Sequence, residues 1–254
     1  EEEHYVLTIL EMLNFDEVSF FNNLINHLSY YGLPVAAPRL TADGMTSTIF
    51  CGKPTLLVPL IDGAHVHRPD INECRAIGKA LGELHDASAS YDLTRANPYS
   101  LKWMRTSIGD LEDQLNADDT HLLRSAADAL ESLQGIGLPE GVIHGDLFRD
   151  NVLFHEGELS ALLDFYHACA DYLMQDVAIT INDWCSNEDG TISEDLKTAL
   201  LDAYASERQP SRVELDALPT LLQTAAARFL LTRLQSGGLK DPAEFKRILA
   251  YHST

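Results

Sequence analysis

The pattern of apolar and polar positions over the first sixty residues predicts strands on either side of one helix. The run from Tyr5 to Leu10 is rich in β-forming residues and predicts a strand. The next segment predicts a helix, because it has apolar residues at helical spacing: Val18, Phe21, Leu24, Ile25 and Leu28. The segment TSTIFCGKPTLLVPLI predicts a hairpin that turns at Gly52–Lys53 and has a buried second arm, Thr55–Ile61. Asp62–Gly63 then breaks the pattern.

Helical periodicity dominates the rest of the chain. An apolar stripe predicts a helix through Cys74, Ile77, Leu81 and Leu84. Further helices are predicted in THLLRSAADALESL and DYLMQDVAITINDWC, and a strand hairpin around Glu156–Gly157. We therefore expect an α+β protein with a small sheet-containing lobe, residues 1–62, and a larger, mainly helical lobe, residues 63–254.

Capping residues and prolines predict where the last helices begin and end. Capping boxes are expected at Thr191 and Ser211. Pro219 is expected to divide the helical stretch that follows Ser211. A final helix is expected to start at Asp241, with Pro242 in the tolerated first position.

The amino-acid composition of the chain limits the kinds of molecule that it is expected to bind. The chain has 254 residues and a formal net charge of −21. An acidic surface repels nucleic acid and anionic membranes, so we expect a small-molecule substrate and leave the oligomeric state open. The four scattered cysteines favour reduced thiols and a cytoplasmic location over a disulfide framework or a zinc site.

The stretch HGDLFRDNVLF carries the candidate chemistry. Asp146 follows a short buried strand, Asn151 lies five residues on, and Asp164 ends the hairpin that follows. The hairpin returns the chain, so Asp164 can lie beside Asn151. Phosphoryl transfer needs one carboxylate to orient the attacking hydroxyl and further oxygen ligands to hold magnesium against the phosphates. The spacing therefore predicts a phosphotransferase that uses ATP and Mg²⁺.

These residues also carry a resemblance. His144, Asp146, Asn151 and Asp164 resemble the motif of the aminoglycoside phosphotransferase and choline kinase superfamily, which is similar to the protein kinases. The segment Leu162–Cys185 resembles the homoserine kinases built on this fold, and so do YVLTILE, GLPVAAP and NPYSLKWM. The resemblance implies a protein-kinase-like, two-lobed fold and ATP-dependent phosphorylation of homoserine, a step of threonine biosynthesis.

The resemblance also implies roles for individual residues. Asp146 would be the catalytic base, and Asn151 and Asp164 would bind magnesium. The residues that would support the catalytic loop are His144, Asp171 and Asp176. The nucleotide would lie against Thr8 and the segment that joins the lobes, which comprises Val58, Pro59, Leu60 and Ile61.

Four residues are candidates for acceptor binding. Asp183 would pair with an ammonium group, and Arg149 would meet a carboxylate or a phosphate. Tyr166 and Trp184 would wall the pocket. The competing interpretations are structural: a surface ion pair for Arg149, a helix-face acid for Asp183 and plain core for Trp184.

The chain differs from the wider superfamily at two positions whose side chains usually serve phosphate binding. Thr8 stands where a lysine is usual, and Phe21 stands where its glutamate partner is usual. No nucleotide-covering hairpin precedes Glu1, so we expect a truncated N-terminal lobe. A loop near Ser236–Gly238 is expected to be abridged.

Two alternatives to homoserine phosphorylation stay open. The first is another small-molecule kinase of the same fold, acting on an aminoglycoside or a choline-like amine. An arginine that reaches the acceptor pocket would instead favour an amino acid. The second is a catalytically silent kinase-like remnant.

Overall fold

The computed structural model describes residues 3–11, 13, 15–236 and 241–253. Its first part is a three-stranded antiparallel sheet with one helix, in the chain order β1 (Tyr5–Ile9), α1 (Phe15–Tyr30), β2 (Thr48–Phe50) and β3 (Lys53–Pro59). β3 is the middle strand, between β1 and β2. The predicted burial of the whole second arm is wrong, because the sheet exposes one of its faces: Leu56 is buried, whereas Leu57 is 41% exposed.

The larger part begins with three helices and ends with four. The elements are α2 (Ile71–Ser88), α3 (Leu101–Asp110), α4 (Ala117–Ser132), β4 (Glu140–Ile143), β5 (Val152–His155), β6 (Glu158–Leu162), β7 (Cys169–Tyr172), α5 (Leu173–Trp184), α6 (Glu194–Glu207), α7 (Arg212–Gln235) and α8 (Ala243–His252). The predicted stripe of α2 is fully buried. The predicted α+β architecture, with a small sheet followed by a mainly helical part, is confirmed.

Two small antiparallel strand pairs, β4–β7 and β5–β6, flank the polar motif. β5 and β6 form the predicted hairpin, and Glu156 and Gly157 turn it with positive φ angles of 50° and 85°. β4 pairs with β7, a strand that the sequence pattern did not predict because its four residues are too few to show a period.

The long helix α7 contradicts the prediction that Pro219 divides it. The helix runs through Pro219 without a break. Proline removes one hydrogen bond, to the carbonyl of Leu215 four residues earlier. Both residues are exposed, Leu215 by 42%, so that carbonyl faces solvent. The capping box at Ser211 is confirmed.

Two other helix starts differ from the sequence prediction. α6 begins at Glu194 after Ser193, so Thr191 does not cap it; the Thr191 hydroxyl donates to Asp189 in the preceding turn instead. α8 begins at Ala243, and the Asp241 carboxylate accepts a hydrogen bond from the Ala243 N–H.

One hydrophobic core joins the two predicted lobes. Phe21, Leu24 and Leu28 of α1 belong to the same buried cluster as the helices of the larger part. Leu10, Val18 and Leu56 form a separate small cluster under the first sheet. The lobe boundary at residues 62–63 stays a prediction. Within the described ranges, every helix is too short or too polar to cross a lipid bilayer.

Candidate active site

The turn after β4 is built around glycine. Gly145 has a φ of 76°, and a Cβ added there would lie 2.8 Å from the carbonyl oxygen of His167. A side chain at this position would therefore be strained and would also clash. The turn places His144 on one side and Asp146 on the other.

Asp176 of α5 supports this turn from within the core. Its carboxylate accepts hydrogen bonds from the backbone N–H groups of His144 at 2.7 Å and Gly145 at 2.8 Å, and from Nε2 of His85 at 3.2 Å. Burial alone would raise the pKa of Asp176, but the hydrogen bond and charge of His85 outweigh it and lower the pKa. The carboxylate is therefore ionised, and it orients the turn.

The His144 side chain joins the turn to the strand that precedes Asp164. Burial lowers the pKa of His144, so the ring is neutral. Nε2 donates to the carbonyl of Leu163 at 2.9 Å, and Nδ1 accepts from the N–H of Asp146 at 3.3 Å. One tautomer satisfies both contacts and ties Asp146 to the backbone beside Asp164.

Asn151 lies directly against Asp146. Its Nδ2 donates to the carbonyl oxygen of Asp146 at 2.7 Å and to the Asp146 Oδ2 at 3.1 Å. The Asn151 carbonyl accepts from Leu163 N–H at 2.9 Å, so the hairpin returns the chain to this point as predicted. With both amide hydrogens engaged, Oδ1 of Asn151 remains as an oxygen ligand.

Asp164 supplies the second oxygen group. Its backbone is left-handed, with a φ of 56°, an uncommon conformation for a residue other than glycine. Its carboxylate makes no hydrogen bond or ion pair with the described residues. The described part of the chain has no cluster of three His, Cys, Asp or Glu side chains for a metal. One carboxylate and one amide could nevertheless hold magnesium, which keeps waters and takes further oxygens from phosphates.

A cavity of about 230 Å³ opens between the first sheet and Asp164. Thr8 and Val58, two of the residues predicted to contact the nucleotide, line it together with the apolar side chains of Leu56 and Leu162. None of the lining residues is a lysine or an arginine, within the ranges that the structure describes. A phosphate-binding cation is therefore not supplied by the walls of this cavity.

The predicted adenine segment, Pro59 to Ile61, does not line that cavity. Proline has no N–H, and the N–H of Leu60 donates to the carbonyl of His4 at 2.9 Å. Of the three residues, Ile61 therefore has the backbone N–H left to meet a nucleotide edge.

Phe21, at the position where a glutamate is usual in the superfamily, makes an aromatic contact. Phe21 of α1 meets the ring of Tyr166 edge-on at 5.6 Å, and the guanidinium of Arg95 lies 5.2 Å from the Phe21 ring centre. Tyr166 lines the cavity on the nucleotide side, so the prediction that it walls the acceptor pocket is not supported. Packing, rather than an ion pair, holds α1 against the segment that contains Asp164.

Arg149 and Asp183 bind each other, and they line a different cavity, of about 330 Å³, from the one that Asp146 lines. Nε and Nη2 of Arg149 donate to the two Asp183 oxygens at 3.0 and 3.1 Å, and the Arg149 N–H donates at 2.7 Å. Burial raises the pKa of Asp183 even though Arg149 opposes the shift. The pair fixes the start of the short 3₁₀ turn Arg149–Asn151, so the structural interpretation of both residues fits better than substrate binding.

Trp184 and Asp171 also have structural surroundings. Trp184 is 1% exposed and donates from Nε1 to the carbonyl of Leu147 at 3.1 Å, so it is a core residue and not a pocket wall. Asp171 accepts from the side chain of Asn97 and from the N–H of Tyr172. It supports the 97–99 segment rather than the turn at Gly145.

A second cavity, of about 200 Å³, has Asp146 in its wall. Its lining residues are Tyr99, Asp146, Phe148, His167, Arg228, Phe229, Thr232, Arg233 and Ser236. Both arginines come from α7, far from the motif in sequence, and were missed. The sequence feature that could have identified them is the presence of two arginines in the mainly apolar stretch AAARFLLTRL.

Two half-buried histidines predict acid sensitivity of the fold. Burial, with the charge of Arg228, lowers the pKa of His167 to about 4, and burial lowers that of His252 to about 4. Unfolded histidine titrates near 6.5, so between these values the unfolded chain binds protons that the folded chain excludes. We expect the free energy of unfolding to be flat above about pH 6.5 and to fall as the pH drops from there towards 4.

Urea unfolding at pH 7.5 and pH 5.0 measures this effect. His252→Gln should make the free energy of unfolding less dependent on pH. His121→Gln, on the exposed face of α4, should leave that pH dependence unchanged. Equal stability of the unmodified chain at the two pH values would contradict the prediction.

Comparison with known proteins agrees with this geometry. The sequence profile of the phosphotransferase enzyme family matches residues 1–210. The chain belongs to this phosphotransferase family. Among its relatives, the homoserine kinase of Neisseria meningitidis serogroup B is 38% identical over 254 residues, which cover 96% of this chain and 83% of the relative. A homoserine kinase of Pseudomonas aeruginosa is also 38% identical, over 98% of this chain and 82% of its own.

Solved structures of this phosphotransferase fold superpose on the chain. Amicoumacin kinase hAmiN, in complex with AMP-PNP, Ca²⁺ and Ami, has a TM-score of 0.76 at 20% identity, covering 98% of this chain and 80% of its own. The predicted protein-kinase-like fold is therefore confirmed. The family membership makes the protein a small-molecule phosphotransferase.

Proposed function

We propose that this phosphotransferase uses ATP and Mg²⁺ to phosphorylate the hydroxyl of L-homoserine, giving O-phosphohomoserine for threonine biosynthesis. The observation that carries the choice of acceptor is the cavity beside Asp146, which contains two arginines, Arg228 and Arg233. An amino acid brings a carboxylate that needs a cation, whereas a cationic amine does not. The homoserine kinases among the relatives support the same choice.

Asp146 is the proposed base, since it lines the cavity that contains the two arginines and lies next to Asn151. It accepts the proton of the acceptor hydroxyl as that oxygen bonds to the γ-phosphorus. The bond from the γ-phosphorus to the β,γ-bridging oxygen breaks, and ADP leaves with that oxygen. Asn151 Oδ1 and the Asp164 carboxylate would hold Mg²⁺, which neutralises phosphate charge when bound. Catalysis consists mainly of positioning and charge stabilisation.

The remaining proposed roles follow from the contacts. His144 and Asp176 hold the turn, and Asp171 holds the neighbouring 97–99 segment. The nucleotide occupies the cavity lined by Thr8 and Val58, with Ile61 N–H at the adenine edge. We also propose a cytoplasmic protein whose partner is the small-molecule substrate, without nucleic acid or membrane binding.

The alternative acceptors fit this cavity less well. A volume of about 200 Å³ is below the roughly 300–1,000 Å³ of sites for drug-sized ligands, which argues against an aminoglycoside. Two arginines in the wall repel the cationic groups of both aminoglycosides and choline-like amines.

ADP release with ATP and Mg²⁺ tests the proposal directly. We expect turnover with L-homoserine and at least tenfold lower kcat/KM with choline or kanamycin. Preference for either amine would overturn the choice of acceptor. Absence of turnover with every acceptor would instead support the silent kinase-like remnant. Calorimetry with ATP and Mg²⁺ would then show whether the chain still binds nucleotide.

A further inference from the structure

Arg228 is held rigidly in the middle of α7. Its side chain is buried, with 5% of the residue exposed. Nη1 donates to the carbonyl of Gly145 at 2.8 Å. The guanidinium carbon lies 4.0 Å from the ring centre of Tyr99 and 4.4 Å from that of Phe229. These contacts fix the plane of the guanidinium group and leave it little rotamer freedom.

One edge of this guanidinium has no partner. Nε of Arg228 is buried and makes no hydrogen bond. Nη2 makes none with the described residues either. Nε–H and Nη2–H point along the same edge, which is one of the two edges that bind a carboxylate with two parallel hydrogen bonds. Because a buried donor without a partner is costly, the free edge is best explained by a ligand.

The surroundings of that edge favour an anion. Arg228 lines the cavity that also contains Asp146, and Arg233 lines the same cavity. The Arg233 guanidinium lies 4.0 Å from the ring centre of Phe245 and forms no ion pair with the described residues. Two arginines therefore face the cavity beside the proposed base, and neither has a carboxylate of the described residues within ion-pair distance.

We propose that Arg228 binds the carboxylate of the acceptor amino acid through Nε and Nη2, with Arg233 as a second positive charge. This assignment rests on the proposed function. The hydroxyl and the carboxylate of one small acceptor then occupy the same cavity, the hydroxyl at Asp146 and the carboxylate at Arg228. Since Arg228 also holds the Gly145 carbonyl, the carboxylate site is tied to the catalytic turn.

The competing explanation gives Arg228 a structural role only, through its bond to Gly145. The two explanations differ in one measurable respect. A structural role affects every acceptor equally, whereas a carboxylate site matters only for acceptors that have a carboxylate.

The experiment compares L-homoserine with 3-aminopropan-1-ol, which has the same hydroxyl and amine but no carboxylate. kcat/KM is measured for both acceptors with the full chain and with Arg228→Gln and Arg228→Lys. The matched control is Arg124→Gln, which removes an exposed ion pair to Glu112. Circular dichroism and thermal unfolding establish that each variant is folded.

We expect Arg228→Gln to lower kcat/KM for homoserine by roughly 10- to 150-fold, the value of lost hydrogen bonds to a charged group. The value for 3-aminopropan-1-ol should change less than threefold, and Arg124→Gln should change neither. If Arg228→Gln does not fold, the same comparison of the two acceptors is made with Arg228→Lys. Lysine keeps the charge but loses the planar pair of donors, so it should lower the homoserine value selectively.

Equal losses for both acceptors, or no loss for homoserine, would overturn the assignment of Arg228 while leaving the proposed function intact. Absence of homoserine turnover in the unmodified chain would overturn the proposed function itself, and this assignment with it.

Discussion

Asp146→Asn should lower kcat for homoserine phosphorylation by roughly 10²- to 10⁴-fold, the usual contribution of a positioned general base. The asparagine side chain keeps the size of aspartate, and its carbonyl oxygen can still accept the hydrogen bond from Asn151 Nδ2. It cannot take the proton of the attacking hydroxyl. The loss should therefore appear in kcat, with KM for both substrates changing little.

The matched control is Asp150→Asn, which makes the same chemical change at an exposed position of the same loop. We expect its kcat to stay within about twofold of the unmodified chain and both variants to unfold at the same temperature. Wild-type kcat in Asp146→Asn would contradict the assignment of the base.

Asp176→Ala should have the largest effect on stability. Removing the carboxylate leaves two backbone N–H groups and the Nε2 of His85 without their partner in a fully buried site. Breaking a buried, hydrogen-bonded charge pair in this way costs about 3–5 kcal/mol. Typical domains have a free energy of unfolding of roughly 5–15 kcal/mol, so this loss would be a large part of the stability of the chain.

Chemical denaturation followed by circular dichroism measures this loss. Asp202→Ala is the control, because it makes the same substitution on the exposed face of a helix and should change the free energy of unfolding by less than about 0.5 kcal/mol. A loss below about 1 kcal/mol in Asp176→Ala would show that the turn does not depend on this carboxylate.

The expected cost is large because Asp176 ends a chain of buried polar contacts. Its partner His85 shares a hydrogen bond through Nδ1 with the hydroxyl of Tyr204 at 2.8 Å, and that hydroxyl accepts from Arg208 at 3.0 Å. Arg208 lies 2.8 Å from Glu214 near the start of α7. α2, α5, α6 and α7 thus meet the catalytic turn through one network, in which each group depends on its neighbours.

The spacing in the motif was sufficient to predict the centre of the site. Asp146 and Asn151 lie five residues apart on one turn, and a hairpin with an evident Glu156–Gly157 turn brings the chain back to Asn151. These are local relations, and local turn chemistry determines them. The same reasoning was wrong for Pro219, because an exposed carbonyl at Leu215 removes the main cost of a proline inside a helix.

The acceptor side could not be predicted in the same way. Arg149 and Asp183 are near the motif in sequence, yet their side chains bind each other and hold the loop. Trp184 is apolar enough for a pocket wall but lies in the core. Arg228 and Arg233 reach the cavity from a helix that begins more than sixty residues after Asp146. Proximity in sequence says little about which charged groups share a cavity.

The sequence by itself determined the class of this protein: the period of its apolar residues specified the α+β architecture, and the motif specified a phosphotransferase. Only the tertiary structure decided how each charged side chain is used. A buried charge needs a partner, and the choice between a protein partner and a ligand depends on which helices pack together. Asp183 has its arginine, and Asp176 has its histidine and two amides. Arg228 keeps one edge open in the cavity that Asp146 lines, because the packing of α7 gives its Nε no hydrogen-bond partner among the described residues.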